Sequence, residues 1–569
     1  MMKVRISTIA LSLLLLMAMQ SCKKSFLDRP PIDRPTAGTF YASDADVLAG
    51  TGPLYNASWG GYNGSALQAI GDVMGGNSLT DDYNGRAAFV TFSVKPNDGS
   101  GSLQSAYSAL WSVIANANVV AYNIQNAPAG ASASARSSGL AECRFMRAAA
   151  YYYLTLVWGE VPIIYDNSSQ LADINVRKNN LEDVWKFMIM DLTWAKNNLS
   201  AAPQQPGRIT KWSAQALLAR AYLVRSGLGQ TGGNRNQSDL DSAKLLAKDV
   251  CNNSGLTLQP NYYDLFTSKV FSGTVVPSEC LFGLLWVPSG EWFVQNHMQA
   301  NLAYDSKITQ TGDGWGGSFG ASASLLSYYL DPANKADSVR RRASFFMPND
   351  YYADISQAAG GWHVDTTLFN NGKIFAPGQN GNGGTDHAWI KKYVIGSPAD
   401  NGGLGGSQNI NLSTYMFRLS DIYLIYADAI LGNATSTSDP EALKYFNMVR
   451  ARAGVAPKTS LSYMDIFLEK KIEFAFEGHE WYDWKQWYYF DPAKALTYFS
   501  TQNRGNYNIS YNNGNPFVTF FDKDNKVPGI VNYPITTSTV DLPYPAVELS
   551  TAPTLSLESV PFDFSQLKY

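Results

Sequence analysis

The sequence predicts a mainly α protein, a tetratricopeptide-like scaffold of helical pairs with a long, irregular, loop-rich insertion in its middle. Apolar residues recur at helical spacing over 39–254 and again over 412–490. Between these stretches, 255–411 carries short apolar runs among Gly, Asn, Ser and Pro, which is typical of long loops. The last stretch, 491–569, is rich in Tyr, Asn and Pro. We expect it to be irregular and to wrap around the helical body.

The N-terminus has the pattern of a secretory signal peptide. Lys3 and Arg5 precede an apolar run over 9–19 that is short for a membrane span, and Cys22 follows the small residue Ser21. This pattern predicts a lipoprotein signal peptide over 1–21 and a lipid on the thiol of Cys22, with residues 22–38 as a proline-containing tether. An ordinary signal peptide or an uncleaved anchor is the alternative interpretation.

The first helical stretch shows the features of paired helices. Asn180 stands where a helix cap is expected, and Glu182 and Asp183 fall in the first turn of that helix. Alanines alternate with leucines over 212–224, which lets two helices approach closely. Antiparallel pairs with short links build tetratricopeptide-like arrays. One apolar face at helical spacing is formed by Leu103, Ala106, Tyr107, Leu110, Trp111, Ile114, Ala117 and Ala121.

Helices are predicted again in the second helical stretch. They cover 415–431, 440–453 and 464–477. Asp439 is expected to cap the second of these, with Pro440 in its first turn and Gly454 beyond its end, and Gly478 follows the third. Tryptophans in these framework patterns are expected in the core: Trp111, Trp158, Trp185, Trp194, Trp212, Trp481, Trp484 and Trp487.

Composition excludes some functions. Without the signal peptide, 42 Lys and Arg stand against 47 Asp and Glu, so no basic surface is expected and nucleic acid is not a predicted partner. Charged residues make up only 16% of the chain. After Cys22 the cysteines are Cys143, Cys251 and Cys280, at spacings that match no metal cluster. We therefore expect buried free thiols, no metal site and no cofactor.

Signals for catalysis are weak. Ser318 lies in a Gly-Gly-Ser-Phe-Gly string, but the residues before it are turn-rich, whereas a nucleophile elbow needs a strand there. His479 has Asp483 four residues later, so the two-histidine face of a zinc protease is missing. Residues 522–525 lack the glycine and glutamate of a calcium loop. We predict a non-enzymatic protein; a surface-anchored glycoside hydrolase is the alternative, because 47 acidic residues could hide a carboxylate pair.

Several motifs in order resemble the SusD/RagB family of nutrient-binding outer-membrane lipoproteins. The first half contributes the tether after a lipidated cysteine and the strings AECRFMRAAAYYY at 141–153, WGEVPI at 158–163 and ALLARAY at 216–222. The second half contributes FRLSDIYLIYADA at 417–429, FNMVRARAG at 446–454, IEFAFEGHEW at 472–481 and LPYP at 542–545. The resemblance extends over nearly the whole mature chain.

The resemblance implies a single SusD-like domain over 39–569, anchored by its lipid to the outer membrane and facing the cell exterior. It implies that the protein lies over a SusC-like TonB-dependent transporter, binds an oligosaccharide or polysaccharide, and delivers it to the pore for carbohydrate uptake. It also implies that the ligand site is built from loops after the first helix and from the irregular middle region. A peptide or protein ligand is the alternative, and the sequence does not identify the glycan.

Chemistry and position together indicate candidate ligand residues. Sugars offer apolar ring faces that stack on aromatic side chains, and hydroxyls that bond to amides and carboxylates. An aromatic residue packed beneath a loop is the alternative for each candidate. The candidates in turn-rich stretches are Tyr83 with Asp81, Asp82 and Asn84, then Trp292 and Trp315, and then Trp362 beside His363.

Overall fold

A computed structural model describes most of the chain. The described residues are 40–80, 85–97, 101–127, 129–170, 173, 175–272, 275–288, 294–315, 318–364, 387–403, 406, 408–512, 515–521 and 528–567. The helices of eight or more residues are α1 (Asp44–Thr51), α2 (Gly101–Gln125), α3 (Ala133–Trp158), α4 (Leu181–Asn198), α5 (Lys211–Arg225), α6 (Gln237–Asn253), α7 (Ala323–Leu330), α8 (Leu419–Leu431), α9 (Pro440–Arg452), α10 (Tyr463–Glu473), α11 (Glu480–Phe490) and α12 (Pro492–Thr501).

Shorter elements fill the connections. The short helices are Gly60–Asn63, Ser65–Leu67, a π-helical turn at Gln68–Met74, Ala87–Val90, Asn167–Gln170, Met298–Leu302, Ser306–Thr309, Ser338–Ser344 and Ala546–Thr551. The strands are β1 (Ser78–Thr80), β2 (Cys280–Leu284), β3 (Phe319–Ala321), β4 (Tyr351–Tyr352), β5 (Trp362–His363), β6 (Thr414–Arg418), β7 (Asn506–Asn512) and β8 (Asn515–Phe521). They pair antiparallel as β1 with β3, β2 with β6, β4 with β5 and β7 with β8.

The helices form the predicted array of pairs. Each of α2 to α5 packs against the next of these helices along the chain, α6 packs against α8, and α8 packs against α9. Residues 254–418 therefore leave the array after α6 and return to it at α8. The predicted mainly α class, with a helical-pair scaffold and a long middle insertion, is confirmed.

Side-chain caps and small residues explain these helices. Asp439 accepts hydrogen bonds from the backbone N–H groups of Glu441 and Ala442 at the start of α9, as predicted. Asn180 is the residue before α4, but its side chain makes no capping bond. Ala214, Ala216 and Ala219 of α5 are buried, which agrees with close helix packing. Within the described ranges, none of the helices combines the length and apolar character that a membrane crossing needs.

Two predicted helix boundaries are wrong. The helix expected from residue 415 begins only at Leu419, because Tyr415 and Phe417 pair with Gly283 and Phe282 as strand β6. The helix expected to reach residue 477 ends at Glu473.

A distant carboxylate explains the early end of α10. Phe476 has a φ of +66°, and the Asp72 carboxylate accepts hydrogen bonds from the backbone N–H groups of Phe476 (2.8 Å) and Gly478 (2.7 Å). Gly71 lies so close to Gly478 that a Cβ on Gly71 would come within 2.3 Å of the Gly478 Cα. This close approach fixes the turn between α10 and α11 against the π-helical turn.

The tail is more regular than the sequence suggests. Residues 491–569 contain helix α12, which Asp491 caps by accepting from the Lys494 N–H, and the β7–β8 hairpin. Beyond them the tail does lie along the helical body, where the Leu542 N–H donates to the Val157 carbonyl and the Asn180 N–H donates to the Val560 carbonyl. The expectation of a wholly irregular tail is wrong, because local capping and strand pairing order its first part.

The core holds most of the framework tryptophans. Trp158, Trp185, Trp212, Trp481, Trp484 and Trp487 are buried, as predicted, and Trp111 and Trp194 are partly buried against the same core. Among the cysteines, Cys143 is buried and Cys251 and Cys280 are half-buried, and all three are free thiols.

Candidate functional site

Strand β3 holds the chain on both sides of the first candidate segment. Thr80, the last residue of β1, pairs with Phe319, and its hydroxyl donates to the Ser318 carbonyl at 3.1 Å. The buried Arg86 guanidinium lies over the Phe319 ring, 4.7 Å from its centroid. Tyr83, Asp81, Asp82 and Asn84 lie outside the described residues, but both ends of their segment are fixed to β3.

Trp315 is an exposed aromatic residue just before β3. Half of its surface, 50%, is accessible to solvent. Its backbone N–H donates to the Ala300 carbonyl, and the Ser318 N–H donates to the Asn301 carbonyl, each at 3.2 Å. Two backbone bonds to the short helix Met298–Leu302 therefore hold the chain on either side of this indole.

Gly314 determines how the chain enters Trp315. Its φ is +83°, and a Cβ there would come within 2.9 Å of the Asp305 carbonyl oxygen. Glycine is the residue that accepts both the left-handed backbone and this close approach. The turn at Gly314 thus packs the backbone before Trp315 directly on Asp305.

The described residues also frame the segment that contains Trp292. Trp292 itself lies outside the described residues, whereas the Val287 N–H donates to the Val294 carbonyl at 2.9 Å and closes the base of that segment. Asn296 then anchors the chain, because its Oδ1 accepts from the Asn63 amide and from the Met298 N–H. The segment of Trp292 therefore leads directly into the helix that holds Trp315.

Trp362 lies on β5 and reaches the same region through Tyr304. Its ring is half-buried, and its indole N–H donates to the Tyr304 hydroxyl at 3.1 Å. The two rings meet edge to face, 6.3 Å between centroids. Tyr304 is buried and directly precedes Asp305. Contacts thus run from Trp362 through Tyr304 and Asp305 to Gly314.

We name the resulting surface the candidate face: Thr80, Asn301, Trp315, Ser318 and Trp362. Buried carboxylates hold the turns that precede Trp315, since Asp305 accepts from the Lys307 N–H and Asp313 accepts from the Gln408 N–H. An exposed indole with hydroxyl and amide neighbours suits a ligand that has apolar faces and hydroxyl edges. Sequence reasoning missed Arg86 and Tyr304, because their partners are distant in sequence.

The signals for catalysis do not form a site among the described residues. Ser318 stands before strand β3, so the strand follows the serine instead of preceding it as a nucleophile elbow requires. His479 is buried, stacked on Phe474, and burial lowers its pKa to about 3. In the described part of the chain, no group of three His, Cys, Asp or Glu side chains is arranged to hold a metal ion. Residues 522–525 lie outside the described ranges.

The thiols of the three described cysteines have low reactivity. Burial is the largest influence on Cys143, Cys251 and Cys280, and it raises the pKa of each thiol. A thiol with a raised pKa stays protonated at neutral pH and is a poor nucleophile or metal ligand.

The fold first defines a class of protein: a helical-repeat scaffold with a loop-rich insertion that carries the exposed Trp315. Two family models match the chain, the SusD family over residues 292–556 and a family described as "starch-binding associating with outer membrane" over residues 45–223. A SusD-like protein of Bacteroides ovatus is 37% identical over 580 residues, covering 99% of each chain. The chain belongs to the SusD family, which confirms the resemblance found in its motifs.

Solved structures agree with this assignment. A crystal structure with a xylogluco-oligosaccharide is 35% identical, with a TM-score of 0.79 over 91% of this chain and 99% of the other. A laminarin-binding SusD-like protein is 22% identical, with a TM-score of 0.62 over 90% of this chain and 98% of the other. The second likeness supports the fold alone.

Proposed function

We propose that this protein binds an oligosaccharide or polysaccharide at the cell surface and delivers it to a SusC-like TonB-dependent transporter. The observation that carries the proposal is the half-exposed Trp315 on the candidate face. Exposed indoles are the side chains on which sugar rings stack. The relative solved with a xylogluco-oligosaccharide, 35% identical to this chain, supports the same ligand class.

Each candidate residue has a distinct proposed role. Trp315 stacks on a sugar ring, and Tyr83 and Trp292 extend the aromatic surface on the segments next to it. Asp81, Asp82 and Asn84 bond to sugar hydroxyls. Trp362 uses its indole N–H on Tyr304, so we propose that it supports the candidate face and offers a ligand only its remaining ring edge.

The protein is proposed to bind without turnover, to be held by lipid on Cys22, and to lie in the outer membrane facing outward. The family described as "starch-binding associating with outer membrane" supports the location. Metabolic labelling with a fatty-acid analogue tests the anchor: we expect labelled wild-type protein and unlabelled Cys22→Ala. Labelled Cys22→Ala would contradict the anchor.

The proposed transporter is tested by association in the native membrane. Affinity purification of the tagged, lipidated protein from mildly solubilised outer membranes is expected to recover a large β-barrel transporter. Recovery of the protein without a transporter, even after crosslinking, would contradict the proposed delivery step. It would not affect the proposed glycan binding.

A panel of polysaccharides in native gels tests binding itself. We expect one class of glycan to retard the chain without residues 1–22, and no new reducing ends to appear during incubation. Release of reducing ends would favour the glycoside hydrolase alternative. Retardation by no glycan would contradict the proposal and favour a peptide or protein ligand.

A further inference from the structure

A second groove lies on the helical scaffold, away from the residues of the candidate face. It has a volume of about 730 Å³ and is formed by the second half of α2, the middle of α3, residues 165–168 and residues 566–567. Tyr122 of α2 lies on its wall with 58% of its surface exposed. So large an exposed aromatic side chain at the edge of a groove is available to a ligand.

The other walls provide neutral hydrogen-bonding groups. Gln125, the last residue of α2, and Asn126 just after it are exposed. Across the groove, the Asn167 amide is bonded within the protein, because it donates to the Ala115 carbonyl and accepts from Asn118. The Tyr165 hydroxyl donates to Gln566 Oε1 at 3.1 Å, which ties the tail to this wall. The exposed amides of Gln125 and Asn126 are of a type that can both donate to and accept from hydroxyl groups.

The two arginines that line the groove interact with other groups of the protein. Arg147 donates two hydrogen bonds of 2.8 Å to Asp191 and a third, of 2.7 Å, to Asn118. The Arg144 guanidinium lies over the Trp194 ring, 4.2 Å from its centroid. Asp166 supplies a carboxylate at the opposite wall. A neutral ligand rich in hydroxyls fits this combination better than an anion does.

We propose that this groove is a second saccharide-binding site, in which Tyr122 stacks on a sugar ring and the exposed amides of Gln125 and Asn126 bond to its hydroxyls. The choice of ligand class rests on the proposed function. The site shares no residue with the candidate face, so a ligand in one does not occupy the other. A polysaccharide long enough to reach both would contact the protein twice. Two linked contacts raise the overall avidity well above that of either site.

Native mass spectrometry with short ligands tests the proposal. The probes are a xyloglucan heptasaccharide and laminarihexaose, added to the chain from residue 23 onward. We expect two molecules of one probe per wild-type protein, one for Tyr122→Ala, one for Trp315→Ala and none for the double variant. Removing Tyr122 is expected to weaken the second site about tenfold or more, as for loss of a stacking ring.

Phe517→Ala is the matched control, because Phe517 is also an exposed aromatic residue, 49% accessible, and lies on β8 outside both sites. It is expected to keep both ligands. A single ligand that Trp315→Ala removes and Tyr122→Ala retains would overturn the second site and leave the proposed function standing. A single ligand that Tyr122→Ala removes and Trp315→Ala retains would support the groove and contradict the candidate face. Two ligands retained by Tyr122→Ala would overturn the proposed groove.

Discussion

At the scale of single residues, a buried network of ions joins the insertion to the scaffold. Arg418 of β6 bonds to Glu279, Glu473 and Glu477, and all four side chains are buried. Arg340 of the insertion reaches Glu473 at 3.5 Å and Glu469 at 2.6 Å. Burial alone would raise the pKa of Glu473, but Arg452, Arg418 and Arg340 together lower it to about 2.

Glu473→Gln is expected to lower the free energy of unfolding by about 3–5 kcal/mol, because it leaves buried arginines with one fewer counter-charge. The sign of the pH dependence follows from the lowered pKa. Ionised Glu473 stabilises the wild-type fold fully above pH 4.5, and this stabilisation is lost as the pH falls towards 2. Urea unfolding between pH 7 and pH 3 measures both effects.

Glu558→Gln serves as the control, because Glu558 is exposed. Its free energy of unfolding is expected to change by less than about 0.5 kcal/mol. The network has no stabilising role if Glu473→Gln and Glu558→Gln unfold alike across this pH range.

Features that depend on neighbouring residues can be predicted from the sequence, whereas contacts between residues distant in sequence cannot. The turn-rich setting of Trp315 is local, so its sequence predicts an exposed side chain, which the structure confirms. The hydrogen bond from Trp362 to Tyr304 joins residues 58 positions apart in the sequence, and the ion pair between Arg418 and Glu279 joins residues 139 positions apart. No local pattern reveals such pairs.

At the scale of elements, a variant at the N-cap of α9 is expected to change the stability of the scaffold without changing ligand binding. Asp439→Ala is expected to cost about 1 kcal/mol of stability, because the N–H groups of Glu441 and Ala442 lose their acceptor. Glycan affinity is expected to stay unchanged, since α9 contributes nothing to the candidate face. Denaturation and titration of the same preparation check both.

Asparagine caps helices about as well as aspartate, so Asp439→Asn is expected to retain most of the lost stability. If Asp439→Asn is as unstable as Asp439→Ala, the capping explanation fails.

The short helix Met298–Leu302 is expected to contribute both to the stability of the fold and to the position of Trp315. Asn296→Ala is expected to cost about 1–3 kcal/mol, because the Asn63 amide and the Met298 N–H lose a buried acceptor. Unlike the cap variant, it is expected to weaken glycan binding as well, since this helix holds the backbone of Trp315. Full affinity in a destabilised Asn296→Ala would show that the helix does not position the site.

At the scale of the whole molecule, the tail fastens the first helices. The Trp158 indole donates to the Pro543 carbonyl at 3.0 Å, and Leu542 and Leu555 are buried. Deleting residues from 541 onward is expected to cost about 3–6 kcal/mol from the two leucines alone. Thermal unfolding and limited proteolysis near Trp158 measure the loss; an unchanged melting temperature would mean that the tail is only a surface covering.

The overall architecture is predictable because its signals are local. Helical spacing, caps such as Asp439 and runs of alanine identify the array, and the low periodicity of 255–411 identifies the insertion. Helix ends set by distant groups are not predictable: α10 ends early because Asp72, some four hundred residues away, holds Phe476 and Gly478. The β6 strand likewise depends on β2, which is far away in sequence.

Titration calorimetry tests the central claim, that the candidate face binds a glycan through Trp315. The ligand is the glycan that retards the protein in native gels, and the proteins are wild type, Trp315→Ala and Phe517→Ala, whose phenylalanine is 49% exposed and outside both proposed sites. We expect Trp315→Ala to bind at least about tenfold more weakly and Phe517→Ala to match the wild type. Equal affinity of Trp315→Ala and wild type would contradict the claim.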